Sequence, residues 1–257
     1  MKPGTRIDLE NTQNFRDLGG YKTLDGREVL YGGVFRSDTP SKIAKDKAHV
    51  LKTTYHLHRI VDFRGHDEAL RAPYSFEGIK CVPLTIDTVH TFITSLSSTH
   101  GRAVEAADVR KASDRVCSTF LEDYARDLRK FFQVLLDAKG RAVMFHCTAG
   151  KDRTGIAAAL LLSLLDVPKE DILADYLLSN EYLKCSIDDG SPHEVLGHPF
   201  TAEAVHELCS VHQSNLCHAL RPAIEKYGSL KNYAKKKLSL SERDLNKLKE
   251  YYTRQGT

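Results

Sequence analysis

Apolar positions along the chain fall into two rhythms. Compact apolar runs at 57–63, 79–84 and 142–146 carry Ile60, Val61, Phe63, Val82, Val143 and Phe145, and they predict buried strands. Helical spacing appears over 116–138, where Phe120, Leu121, Tyr124, Leu128, Phe131, Phe132 and Leu135 share one side and predict a long amphipathic helix. The stretch Ile156 to Leu165 is apolar all round, which predicts a buried core helix over 153–165, far too short to span a bilayer. Ser41 is expected to cap a helix ending near Leu51. Pro168 is expected to open one ending near Asn180, and Ser239 or Ser241 to cap the last. Glycine turns at Gly19-Gly20, Asp25-Gly26 and Gly32-Gly33 divide short strands within residues 1–40. Residues 88–115 are polar, then charged, with some helical character; residues 184–200 read as a Gly- and Pro-containing loop. Strands alternating with helices predict an α/β fold: a central, mostly parallel sheet flanked by helices, with a helical C-terminal region. One domain is expected over residues 1–257.

The connection between the strand 142–146 and the helix after it reads HCTAGKDRTG, residues 146–155. A loop at a helix N-terminus gathers unpaired backbone N–H groups around one spot, which suits a phosphate dianion. Arg153 can add a two-pronged fork to two phosphate oxygens. Cys147 stands at the loop's start, where a thiolate could attack bound phosphorus. The candidate binding residues are therefore Thr148, Ala149, Gly150, Lys151, Asp152 and Arg153. A free thiol is about 3% thiolate at pH 7, so complete ionisation gains only about 30-fold. Phosphate-ester hydrolysis needs far more. Most of the catalysis must come from holding the equatorial oxygens better in the transition state, which needs no metal or cofactor. A nucleotide P-loop would need Ser or Thr after the lysine and a glycine five before Gly150; Asp152 and Phe145 stand there. A non-catalytic phosphate-binding module and a rhodanese-like sulfurtransferase are the other readings; the arginine and the Thr-Gly ending argue against the latter.

The decapeptide resembles the signature of cysteine-dependent tyrosine phosphatases. Its longer form is similar to that of the atypical tyrosine and lipid phosphatases of bacteria and some lower eukaryotes. Further elements resemble that subgroup as a set: Asn14 to Tyr21 (NFRDLGGY), Gly33 to Asp38 (GVFRSD), Ile60 to Arg64 (IVDFR) and Tyr227 to Tyr233 (YGSLKNY). Residues 88–115 and 186–200 look like local elaborations. The resemblance implies phosphotyrosine proteins and phosphoinositides as substrates, with phosphoserine and phosphothreonine as further ones.

A leaving group needs a proton donor. The Trp-Pro-Asp loop of ordinary tyrosine phosphatases is absent, since the chain has no tryptophan. The resemblance points to Asp152, with Asp87 second and Asp62 third, although Asp62-x-Arg64 also reads as a loop brace. Thr154 could hydrogen-bond the thiolate, or simply cap the helix. His146 is expected to fix the loop without titrating. Lys151 is either a second cation for a large head group or a solvated lysine. Asp175 reads as a structural hydrogen-bond partner inside a helix.

Hydrophobic residues at 41% and charged residues at 28% are ordinary for a globular domain. A net charge of +3 is too small to imply nucleic acid. Residues 1–6 lead into no apolar core, so no secretory signal is expected, and neither is membrane insertion. Six cysteines without framework spacing read as free thiols of a reducing, cytoplasmic compartment. His206, Cys209 and His212 match no recognised zinc spacing, so no metal site is expected. The basic run from Lys231 to Lys237 reads as a solvated helix face.

Overall fold

The computed structural model describes residues 2–99, 101–184 and 193–256. In chain order it opens with β1 (Arg16–Asp17), β2 (Arg27–Val29) and β3 (Val34–Ser37), then α1 (Lys45–Thr53) and β4 (Arg59–Asp62). There follow α2 (His66–Arg71), β5 (Lys80–Pro83), α3 (Val89–Leu96), α4 (Ala106–Asp123) and α5 (Ala125–Ala138). Next come β6 (Val143–His146), α6 (Asp152–Leu164), α7 (Lys169–Leu177) and α8 (Ser179–Tyr182). The chain closes with β7 (His193–Val195), β8 (His198–Phe200), α9 (Ala202–Cys209), α10 (Gln213–Tyr227), α11 (Leu230–Lys236), α12 (Glu242–Tyr252) and β9 (Thr253–Gln255).

The central sheet runs β1-β3-β6-β4-β5; only the β1–β3 pair is antiparallel. β6 is therefore a middle strand, and all four of its residues are buried. Side chains alternate between faces, so Val143 and Phe145 join the core formed with α5 and α6, while Met144 joins the one under α1 with Phe15, Phe35 and Ile60. Every residue of α6 except Asp152 and Ser163 is buried, as an all-apolar helix requires. A third, smaller core lies outside the sheet and joins α3, α4, α9 and β8 through Phe92, Leu96, Val109, Phe200 and Ala204. No helix among the described residues is long and apolar enough to cross a membrane.

Several boundaries differ from the sequence reading. Thr39, not Ser41, accepts a cap bond, and it starts only a 3-10 turn at Pro40–Lys42, so α1 begins later at Lys45. The helix read over 116–138 is two helices broken at Tyr124. There the backbone leaves helical geometry and the hydroxyl donates to the carbonyl of Asp87. The apolar phase carries across the break, so periodicity did not reveal it. Helix α7 stops at Leu177, with α8 following separately. The loop at 184–200 contains the β7–β8 hairpin; residues 185–192 lie outside the described residues. Cys81, Cys117, Cys147 and Cys217 are free thiols, but Cys209 is disulfide-bonded. That corrects the expectation of six free thiols: a disulfide needs Cα atoms brought within about 7 Å by the fold, which spacing does not disclose. Cysteine usage therefore no longer argues for a reducing compartment.

Candidate active site

The turn after β6 is held open by donors that grip its carbonyls from outside. The amide of Thr39 donates to Thr148 O at 2.9 Å, Asn14 Nδ2 to Ala149 O at 3.1 Å, and Arg36 Nη2 to Gly150 O at 2.8 Å. In a planar trans peptide the N–H points opposite to the carbonyl. The amides of Ala149, Gly150 and Lys151 are thus turned away from those donors, to the inner side of the loop. The first free N–H groups of α6 follow directly. Gly150 sits at φ +70, and a Cβ there would lie 2.3 Å from Ser37 O, so the loop can press against β3 only at a glycine.

A buried charge cluster fixes the gripping side chains. Asp175 of α7 accepts from Arg16 Nε at 3.0 Å, from Arg36 Nη1 at 2.6 Å and from Tyr21 Oη at 3.3 Å. Both arginines are fully buried, and Arg16 also donates to the side chain of Asn14. Burial opposes the charge on Asp175, but the two arginines more than offset it, so its carboxyl stays below the usual range. Burial, with Arg16 nearby, lowers Arg36 to about 10, and it remains a cation at neutral pH. Asp175 is thus a structural partner, as its helical position implied. The grip of Asn14 and Arg36 on the loop was not read from sequence. The available signal was two arginines beside apolar neighbours, Arg16 after Phe15 and Arg36 after Val34-Phe35.

Cys147 is 2% exposed at the end of β6, and Arg153 is 7% exposed in the first turn of α6. A guanidinium has five N–H donors, and here their use can be counted. Arg153 Nη1 and Nη2 reach Glu68 Oε2 and Oε1 at 2.6 and 2.7 Å, and Nη1 also donates to Ile86 O at 3.0 Å. Nε–H and one Nη2–H remain, on the same edge of the fork, which suits two oxygens of one phosphate. Sequence reasoning missed Glu68. It is the third residue of α2, where its carboxylate also accepts from the Gly65 amide at 2.8 Å and from the hydroxyl of Thr148. Burial works against its charge, yet Arg153 and these donors bring its pKa down to about 2.

His146 is buried with both ring nitrogens engaged: Nδ1 meets Cys147 O at 2.8 Å and Nε2 meets Tyr74 Oη at 2.6 Å. The carbonyl can only accept, so Nδ1 carries the proton and Tyr74 donates to Nε2. Burial outweighs the nearby Asp62 and lowers the His146 pKa to about 4, so the ring is neutral in any ordinary assay. Such a depressed histidine contributes stability that is complete above about pH 6.5 and lost as pH falls toward 4. A melting temperature drop on the order of 5–10 °C over that window is expected. His146→Gln should flatten that slope; an unchanged slope would mean other groups set it.

Asp62 is clasped by Arg64, with Nε–Oδ1 at 3.0 Å and Nη2–Oδ2 at 2.7 Å, which makes it a brace. Burial opposes its charge, but Arg64 holds the carboxyl below the usual range. Asp87 is exposed in the loop after β5, adjacent to the Ile86 carbonyl that binds Arg153, with its Cγ 3.2 Å from where a Gly65 Cβ would stand. The Asp152 side chain is 44% exposed and 2.9 Å from Lys151 Nζ. Lys151 itself is buried, and its ammonium also donates to Ser210 O at 3.1 Å, so it is neither solvated nor free. Thr154 Oγ1 is buried with no hydrogen-bond partner among the described residues. The structure thus gathers Cys147, Thr148, Arg153, Asp87 and the missed Glu68 around one cradle, keeps the half-exposed Asp152 carboxylate in the loop beside Lys151, and turns Asp62 and the Lys151 ammonium to internal partners.

A cysteine just after a strand end, inward-facing loop amides and a braced arginine thus meet at one cradle on an α/β sheet. The model of the tyrosine phosphatase family matches residues 7–254, and the chain belongs to that family. A putative tyrosine-protein phosphatase of Cupriavidus necator is 30% identical over 247 residues, covering 96% of this chain and 88% of that protein. A 48-residue stretch, 19% of this chain, is 52% identical to the triple specificity protein phosphatase PtpB of Mycobacterium tuberculosis, covering 17% of it. Among solved structures, P. aeruginosa TpbA aligns at 15% identity with a TM-score of 0.36, covering 62% of this chain and 78% of that one.

Proposed function

We propose that this protein is a phosphomonoesterase that hydrolyses phosphotyrosine through a phosphocysteine intermediate, without a metal. The donor count of Arg153 carries this reading: its end-on edge and Nη1 are consumed by Glu68 and Ile86, leaving one two-pronged edge beside a buried cysteine. Cys147 Sγ attacks phosphorus, the P–O bond to the tyrosyl oxygen breaks, and an aspartate gives that oxygen its proton. Water then attacks phosphorus as the aspartate takes its proton, the P–S bond breaks to return the Cys147 thiolate, and phosphate is released. Arg153 and the amides of residues 148–153 bind the equatorial oxygens throughout. The buried hydroxyl of Thr154, unpartnered among the described residues, supports a role in donating to the departing thiolate.

Phosphotyrosine, phosphoserine, phosphothreonine and phosphoinositide substrates belong in one assay panel with chelator present. Vanadate-sensitive phosphate release supports the reading; binding of phosphate without turnover favours a binding module instead. Lys151 spends its ammonium on Asp152 and Ser210, so a phosphoinositide preference draws no support from it.

We assign the proton donor to Asp152, whose half-exposed carboxylate stands in the loop itself. Asp152→Asn should then depress hydrolysis of esters with poor leaving groups about 100-fold or more, and of esters with good ones far less. The same selective loss in Asp87→Asn, with Asp152→Asn losing equally on both esters, would move the role to Asp87.

A further inference from the structure

A groove of about 930 Å³ runs down the α1 face of the sheet, away from the cradle. One wall is α1; the other is the segment 73–77 that descends from α2 toward β5. Pro40, Lys45, His49, Lys52, Tyr74 and Phe76 line it. Its upper end adjoins the phosphate loop on both walls. Thr39, just before Pro40, bonds Thr148 O, and Tyr74 bonds His146, the residue before Cys147.

The groove's chemistry alternates. Tyr74 and Phe76 stack with centroids 5.3 Å apart on the apolar wall. Lys45, His49 and Lys52 stand at positions i, i+4 and i+7 of α1, one stripe along the other wall. Seven residues of helix span about 10 Å, the length of about three residues of extended polypeptide. Glu77 is the one acidic residue in the lining. Some surface lysines elsewhere are neutralised: Lys226 and Lys237 pair with Glu122, and Lys231 and Lys235 with Glu242. Lys45 and Lys52 have no salt-bridge partner among the described residues, and Lys52 reaches across the groove to Gly78, where a Cβ would lie 2.0 Å from its Nζ. An extended trough with an aromatic wall and unspent cations beside a phosphate cradle is complementary to an acidic peptide.

We propose that this groove holds the polypeptide flanking the phosphotyrosine and selects acidic side chains spaced about three residues apart. The proposal rests on the phosphotyrosine reading above. Two exposed ion pairs in water are individually weak, so the selection is graded, about tenfold (~1.4 kcal/mol) at low salt.

The test measures dissociation constants of phosphotyrosine peptides for Cys147→Ser protein. Asp/Glu flanks are compared with Asn/Gln flanks, placed before or after the phosphotyrosine. In at least one placement the acidic peptide should bind about tenfold tighter, and Lys45→Glu/Lys52→Glu should bring the ratio within twofold. High salt should do the same to the unaltered groove, which serves as the readout if the double variant fails to fold. A ratio within twofold at the outset, or one that survives both the charge reversal and salt, overturns the proposal. So does loss of binding to phosphoinositide-containing vesicles with the peptide ratio intact, which would assign the groove to a lipid surface. Absence of aryl phosphate turnover by the unaltered enzyme would reject the phosphatase reading while leaving this binding comparison intact.

Discussion

Cys147→Ser is expected to lower kcat for phosphotyrosine hydrolysis by at least about 10⁴-fold while leaving vanadate and phosphate affinity within a few-fold. A serine oxygen has the right place but not a thiol's acidity, and the neighbouring imidazole cannot ionise it. The nearest imidazole, His146, already donates to Cys147 O and accepts from Tyr74, with its pKa down at about 4 through burial. A neutral ring with both nitrogens spent cannot take the hydroxyl proton. Binding should survive because the amides stay turned inward: their carbonyls are gripped by Thr39, Asn14 and Arg36, none of which touches the sulfur. Turnover within tenfold of the unaltered enzyme would reject the covalent mechanism. Joint loss of binding and turnover would show that the sulfur also shapes the cradle.

What could be read from the sequence follows from how local each feature is. The strand–loop–helix unit was legible because ten consecutive residues encode it: an apolar run, a glycine that tolerates φ +70, and strong helix formers. The mostly parallel sheet was legible from the apolar runs of β4 and β6, whereas β5, read as a buried strand, lies at the sheet edge with Lys80 and Pro83 exposed. Glu68 was not legible, because it meets an arginine 85 positions away, and nothing in the pattern of α2 marks it as internal. The grip on the loop was hidden for the same reason. Asn14 stands two residues before β1, Arg36 lies in β3, and Asp175, which aligns Arg36, comes from α7. The pairing of β2 with β9, which ties residues 27–29 to 253–255, is equally non-local. Lys151 shows the converse: its place in the motif left a second cation and a solvated lysine open, and the fold supplied Asp152 and the carbonyl of Ser210 as partners for its ammonium.

The third core, built by α3, α4, α9 and β8, accounts for the two stretches that looked like elaborations. They meet: Val104 and Phe200 share a bridge, and Arg110 of α4 forms an ion pair with Glu207 of α9 at 3.1 Å. Both segments are too polar to predict a core separately, and each supplies only part of one. This small unit reaches the site through Ser210, just after α9, whose carbonyl holds Lys151, while Asn180 clamps the neighbouring Val211 by two bonds of 2.8 Å.

Arg153→Lys is expected to lower kcat/KM for an aryl phosphate about 10³-fold, even though the charge is kept. Lysine offers three donors at one point. It cannot satisfy both oxygens of Glu68 and the carbonyl of Ile86 and still present a planar edge to phosphate. Glu68→Gln is expected to cost about tenfold, because one amide oxygen can keep one bond but no longer fixes the plane of the fork. The discriminating quantity is the coupling. Glu68 touches the phosphate site only through Arg153 and the Thr148 hydroxyl, so adding Glu68→Gln to Arg153→Lys should cost little more than Arg153→Lys alone. Additive losses would give Glu68 a direct part in the chemistry. The pH dependence supplies a second check. Glu68 is held at about 2 against burial by its donors, so the brace persists above the usual carboxylate range and fails only as pH falls from about 4.5 toward 2. Activity lost at higher pH must therefore be assigned to another group.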